Sequence, residues 1–194
     1  MSPQPRSTKT GTQQFDEMYG SLRNSNIIIK TIWIQIPEDE YISQTSEFQM
    51  TSPQNWYSNV TYNLNFVNGI LTRASQYSLN IGIYTSGYDW HMITADGEAE
   101  NLMLWYWYYY GDGPTNESSA NYNDFVSFGG WSTPSAKQFG HAESVCGVTA
   151  NRDICSLSIP ARSTEMGEFD KSGQITVGDL RVGRVVPGKA QIKK

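Results

Sequence analysis

The sequence is poor in the residues that build metal and redox centres. It contains 2 cysteines and 2 histidines. His91 and His141 stand apart from each other and from the cysteines, and no His-Glu-x-x-His or paired Cys/His spacing occurs. No metal site is predicted. A glycine-rich phosphate loop is also missing, since Gly111-Asp112-Gly113 reads as a turn. No cofactor is expected. Charged residues are only 17% of the chain and the formal net charge is -5, which argues against a nucleic-acid partner. No run of about 18 apolar residues exists, so no membrane partner is expected. The opening Met1-Ser2-Pro3-Gln4-Pro5-Arg6 has no apolar stretch of the signal-peptide kind.

Aromatic residues, by contrast, are abundant. They make up 13% of the chain, with 12 Tyr and 6 Trp. Flat faces with polar tips suit sugar binding, and they equally suit amphipathic packing. The 194 residues are enough for one domain with a sizeable core, and 38% hydrophobic residues exclude disorder throughout. Charge is unevenly spread: residues 155–194 are net positive and residues 1–154 net negative. Cys146 and Cys155 could close one loop or remain two buried thiols. Two sequons, Asn59-Val60-Thr61 and Asn116-Glu117-Ser118, lean towards a secreted origin.

Phe15, Met18 and Leu22 recur at helical spacing and predict a helix over 11–23, stopped by Asn24-Ser25-Asn26. The apolar, β-branched run Ile27–Ile36 predicts one strand buried on both faces. Residues 37–49 are acidic and without period, and read as an exposed loop. Ser52-Pro53 suggests a helix start, and Val60, Leu64, Val67, Leu71 and Ala74 mark its apolar face as far as Tyr77. A second buried strand follows at 79–84. Strand, helix, strand is a βαβ unit and implies a parallel sheet. A short helix at 88–95, a strand at 102–109 and shorter strands at 136–140 and 148–154 complete the pattern. Residues 155–194 carry no long periodic element and are expected to be a poorly ordered tail.

Several blocks in this order resemble glycoside hydrolase family 25 lysozymes, and their invertebrate, nematode-like branch in particular. They are Thr31–Gln35 (TIWIQ), Thr51–Ser58 (TSPQNWYS), Gly82–Trp90 (GIYTSGYDW), Leu104–Trp107 (LWYW), Phe128–Trp131 (FGGW), Lys137-Gln138-Phe139 and Cys146–Ile154 (CGVTANRDI). The resemblance covers residues 1–154 apart from 37–49. It implies an α/β fold: an irregular (β/α) barrel of the family 25 lysozyme type, here incomplete and lacking its first two strands. Residues 1–154 would form this partial barrel, with 37–49 an inserted loop. The implied substrate class is the β-1,4-linked muramic acid–glucosamine glycan of the bacterial cell wall. The implied role is antibacterial defence or digestion of bacteria, in an extracellular, lysosomal or gut-lumen setting and as a monomer.

Glycoside cleavage needs a carboxylic acid to protonate the leaving oxygen and a second group at the oxocarbenium-like centre. The resemblance places an Asp-x-Glu pattern at the end of the strand that here reads Ile34-Gln35-Ile36-Pro37. Gln35 stands in the Asp position, and an amide donates no acidic proton. Asp153, in Asn151-Arg152-Asp153, matches the acidic position of the last strand. Asp153 and Gln35 are therefore the catalytic-position candidates, with Gln35 limited to binding. Glu38, Asp39 and Glu40 could supply a carboxyl from the adjacent loop, but three successive acids read as a solvated loop. Asp89 is expected to cap a helix. Tyr84, Trp90, Trp105, Trp107 and Gln138 are the substrate-binding candidates, and Trp131 is a further ring that could stack on a sugar. Trp105 and Trp107 share one strand parity and should face the same side. The stretch 168–179 is a chance likeness to a calcium loop, lacking its first Asp and closing Glu. Weak or absent hydrolysis is expected, with glycan binding or an unstable truncated product as the alternatives.

Overall fold

The computed structural model describes residues 1–36, 55–156, 175–177 and 184–187. The chain opens with helix α1 (Gly11–Asn24), whose start is set by a full capping box between Thr10 and Gln13. Two strands follow, β1 (Ile27–Ile29) and β2 (Thr31–Gln35). The single strand expected over Ile27–Ile36 is thus divided at Lys30. β1 leaves the main sheet and pairs in parallel with a segment distant in sequence. No local pattern announces a partner so far away.

Helix α2 (Val60–Gln76) begins later than Ser52-Pro53 suggests. Its cap is Asn59, whose side chain accepts from the Tyr62 N–H. Its buried stripe includes Leu64, Val67, Ile70, Leu71 and Ala74, close to the predicted face. Strand β3 (Asn80–Thr85) and helix α3 (Gly87–Thr94) come next. They are followed by β4 (Glu98–Glu100), β5 (Met103–Trp107), β6 (Ala136–Val145) and β7 (Val148–Cys155). Two short strands, β8 (Ile175–Val177) and β9 (Arg184–Val186), lie in the C-terminal stretch. The loop 37–49 and most of the expected tail lie outside the described residues.

The main sheet has the order β2-β3-β5-β6-β7. All its pairs are parallel except the β6–β7 hairpin. The register places Ile32 beside Ile81, and Ile34 beside Ile83, which faces Leu104. These side chains point to one side and form a single core with Phe15 and the α2 stripe. Removing so much aliphatic surface from water is the main stabilising term, at about 25 cal/mol per Å2 of apolar area. Residues of the opposite parity, Trp33, Gln35, Tyr84, Trp105 and Trp107, line the other face. Close approach on that face depends on Gly82. A methyl group there would come within 2.1 Å of the Trp33 ring, so the indole lies flat across bare backbone.

Behind β6 the loop 112–124 is tied down by a buried cation. Lys137 is fully buried, and its Nζ donates to Ser119 O at 2.7 Å, Asn121 O at 3.1 Å and Asp124 Oδ2 at 2.5 Å. The Tyr106 hydroxyl donates to the other Asp124 oxygen at 2.7 Å. Burial, together with that carboxylate, pushes the Tyr106 phenol far above its usual range.

The hairpin between β6 and β7 turns at Cys146 and Gly147, with φ of 51° and 79°, as a tight two-residue turn requires. Both cysteines are exposed and free, so neither sequence reading of them holds. They lie at opposite ends of β7, an 8-residue strand and therefore roughly 25 Å long. The C-terminal strands attach at the periphery: β8 pairs with β1, and β9 pairs antiparallel with β4. Asn68 on α2 clasps Val185 with both ends of its amide, at 2.9 and 3.1 Å.

Candidate active site on the inner face of the sheet

The inner face collects side chains from five strands by parity alone. Gln35 on β2 is in register with Tyr84 on β3, and Tyr84 with Trp105 on β5. One row further along, Trp107 is in register with Gln138 on β6, and Gln138 with Asp153 on β7. Paired residues point to the same side of a sheet, so all six candidates share one face.

Most polar tips on this face have a defined partner, the Gln138 Nε2 excepted. The Tyr84 hydroxyl donates to Gln138 Oε1 at 2.8 Å. The Trp105 indole N–H donates to Asp153 Oδ1 at 3.0 Å, and that of Trp107 to Asp89 Oδ2 at 3.2 Å. Gln35 Oε1 accepts from the Ser2 hydroxyl, and the Gln35 backbone N–H donates to Met1 O at 2.9 Å. The rings pack edge to face, Trp33 on Trp105 at 5.6 Å and Tyr84 on Trp105 at 4.9 Å. Tyr109 extends the row. Its ring lies 5.2 Å from Trp107 and stacks on His141 at 5.0 Å, while His141 Nδ1 bonds Asp112 at 2.8 Å.

Asp153 sits on the last strand of the sheet and is exposed overall. Packing around its carboxyl nonetheless raises its pKa from the ordinary value, and the Trp105 N–H pulls in the opposite direction. Gln138 is almost fully buried, at 2% exposure. Trp105 and Trp107 are half-buried, which leaves ring surface open to a ligand. The face thus offers aromatic platforms, a carboxyl and two amides. Among the described residues no cluster of His, Cys, Asp and Glu could hold a metal ion.

The sequence profile of the family described as Lysozyme-like protein 1 matches residues 1–139. The chain belongs to the lysozyme-like family, of the glycoside hydrolase family 25 type. Lysozyme-like protein 7 of Caenorhabditis elegans is 41% identical over 94% of this chain and 60% of its own length. Lysozyme-like protein 1 of the same organism is 42% identical over 84% of this chain and 51% of its own length. A probable family 25 lysozyme of Dictyostelium discoideum is 29% identical over 71% of this chain. The chain therefore spans between half and three-fifths of the length of these two nematode relatives. The bacterial lysozyme of Streptomyces coelicolor shares the fold, with a TM-score of 0.53 at 15% identity over 80% of this chain and 64% of that one. A muramidase from Trichobolus zukalii superposes with a TM-score of 0.51 at 16% identity, over 79% of this chain and 65% of that one. The sheet and its helices are an incomplete α/β barrel of the lysozyme type.

Within this lysozyme-like half-barrel, one predicted substrate-binding ring lies elsewhere. Trp90 is completely buried, its indole N–H donates to Gly97 O at 2.7 Å, and its ring packs on Trp131 at 4.9 Å. A ring without accessible surface presents no face to a sugar, so Trp90 is a core residue. Trp131 is likewise buried, with its N–H on Leu102 O at 2.7 Å.

Asp89 is corrected as well. The α3 cap is Ser86, whose Oγ accepts from the Asp89 N–H at 3.0 Å. Asp89 stands three residues further on, buried at 1% exposure, and holds the Trp107 indole. The serine three positions ahead of it was the available signal. Glu38, Asp39 and Glu40 lie outside the described residues.

Proposed function

We propose that this chain binds peptidoglycan-type glycan on the inner face of its half-barrel and hydrolyses it weakly or not at all. The carrying observation is the row Gln35–Tyr84–Trp105. At the strand end where the family resemblance puts an acid, the structure has an amide in register with two aromatic rings. An amide hydrogen-bonds a sugar but cannot protonate a leaving oxygen. Asp153 is the carboxyl on the neighbouring row, and glycoside cleavage by the usual routes takes two. Trp105 and Trp107, each anchored through its indole N–H, supply rigid surfaces for pyranose rings.

The family and the fold support the substrate class: a bacterial cell-wall glycan met outside the cytosol, in an extracellular, lysosomal or gut-lumen setting. No helix among the described residues is long and apolar enough to cross a membrane. The protein works as a monomer, without nucleic acid and without a cofactor.

The test is co-sedimentation of the purified chain with insoluble peptidoglycan. The chain should pellet with the glycan, and Trp107→Ala should weaken binding roughly three- to tenfold through loss of the platform. A chain that stays in the supernatant at every glycan concentration refutes the reading.

A further inference from the structure

The two sequons meet opposite surroundings in the fold. In Asn116-Glu117-Ser118 every side chain is already engaged. Asn116 Nδ2 donates to Asp112 O at 2.8 Å and stands against the bare backbone of Gly111. Glu117 accepts from Arg152. Ser118 is 6% exposed and its Oγ donates to Tyr108 O at 2.5 Å. In Asn59-Val60-Thr61 the asparagine and the threonine are both exposed. Asn59 caps α2 through Oδ1, which accepts the Tyr62 N–H at 3.0 Å. The cap engages the oxygen, and an amide substituted on its nitrogen still offers that oxygen. Oligosaccharide transfer precedes folding, so the fold decides which glycosylated chain can be completed. A sugar on Asn59 leaves the helix start intact, whereas one on Asn116 forces apart a packed turn.

Beside Asn59 stands an exposed pair of rings. Tyr57 and Tyr62 pack edge to face at 4.5 Å and are 38% and 42% exposed. A cap side chain folds over the first turn of its helix, which brings the Asn59 amide to Tyr62. The pair is held from behind. The buried Asn63 amide accepts from the Tyr57 N–H at 3.1 Å and donates to Tyr57 O at 2.7 Å. The Arg6 guanidinium lies 5.4 Å from the Tyr57 ring centre, and the Tyr62 hydroxyl donates to Pro5 O at 3.4 Å. Two fixed rings with open surface suit the apolar face of a pyranose.

We propose that Asn59 is an N-glycosylation site whose first N-acetylglucosamine packs on the Tyr57–Tyr62 pair, and that Asn116 stays unmodified in the folded chain. The proposal rests on the extracellular or lysosomal setting proposed above and not on what the inner face binds. The donor is an oligosaccharide on a lipid diphosphate. Asn59 Nδ2 forms a bond to the anomeric carbon, the bond from that carbon to the diphosphate oxygen breaks, the lipid diphosphate leaves with the electron pair, and Nδ2 gives up one proton.

The experiment produces the chain behind a cleavable secretory leader in a eukaryotic host, so that its natural address does not decide the result. Chains recovered from the lumen and the medium are mapped by peptide mass spectrometry. One glycan should be found, on the peptide that holds Asn59. Thr61→Ala should abolish it and Thr61→Ser should retain it. Thermal unfolding is then compared with the same sequence made in a bacterial cytosol. The glycosylated chain should melt about 2–4 °C higher, the shift that one ordinary aromatic contact gives in a chain of this size. Trimming the glycan to its first sugar should keep the gain, and Tyr62→Ala should remove it. Should Tyr62→Ala fail to fold, Tyr57→Ala tests the same contact. An imported chain without sugar on Asn59, or with a glycan on Asn116, overturns the assignment. A native chain that gains nothing, or a gain undiminished in a folded tyrosine variant, overturns the packing. Co-sedimentation with peptidoglycan, run on the unglycosylated chain, separates either failure from that of the glycan-binding reading.

Discussion

Trp105 reaches over β6 to donate its indole N–H to Asp153 Oδ1 at 3.0 Å, on a strand with which its own strand does not pair. One bond therefore ties the middle of the sheet to its last strand. Burial raises the pKa of that carboxyl, and the bond opposes the rise in part, because a donor to the ionised form favours ionisation. Trp105→Phe keeps a ring but removes the donor. The Asp153 pKa should rise further from its ordinary value in that variant. Titration of the side-chain carboxyl by NMR checks this, and a fall in pKa on substitution would contradict it.

The Lys137 ammonium provides a second, purely structural test. It is fully buried and satisfies two backbone carbonyls and Asp124 at once. Lys137→Met fills similar volume but strands all three acceptors. Breaking a buried pair from one side costs about 3–5 kcal/mol. Urea unfolding should show a loss of that order, and the loop 112–124 should become protease-sensitive. Asp124→Asn together with Lys137→Met should recover part of the loss, since no carboxylate is then left uncompensated.

Glu143 makes stability depend on pH. It is 4% exposed. Burial, then the neighbouring Glu117, raise its pKa, while Arg152 lowers it in part. Arg152 Nη1 donates to Glu117 Oε1 and stands 4.0 Å from Glu143 Oε2. A carboxyl whose folded pKa is raised binds its proton more tightly in the native state. Its contribution is fully present below the unfolded carboxyl value and is lost as pH rises through the raised folded value. The β6–β7 hairpin should therefore be more stable in mild acid than at neutrality. Glu143→Gln, a permanent mimic of the protonated form, should flatten the dependence of Tm on pH across that window. An unchanged slope would show that other groups set it.

Much of the inner face was legible in the sequence because strands have a period of 2. Trp105 and Trp107 share parity, and once Tyr84, Gln138 and Asp153 are assigned to strands, register brings them together. The α2 stripe followed from a 3.6-residue period in the same way. What escaped was set by contacts distant in the chain. The depth of Trp90 depends on Trp131 and on Gly129, where a methyl group would lie 2.6 Å from the Trp90 indole nitrogen. The break at Lys30 depends on the pairing of β1 with Ile175–Val177. Asp89 was misread for a local reason: Ser86 and Asp89 are both good capping residues, and only the backbone decides which of them caps the helix.

The most direct test of binding without cutting is the release of reducing ends from purified peptidoglycan by the native chain. It should be assayed in the same tubes in which co-sedimentation demonstrates binding. The account predicts a pellet carrying the protein and a supernatant whose reducing ends stay at the level of the enzyme-free control. Release that grows with protein concentration and time would contradict it, and would place a working acid on a face where Gln35 stands in the acid's position.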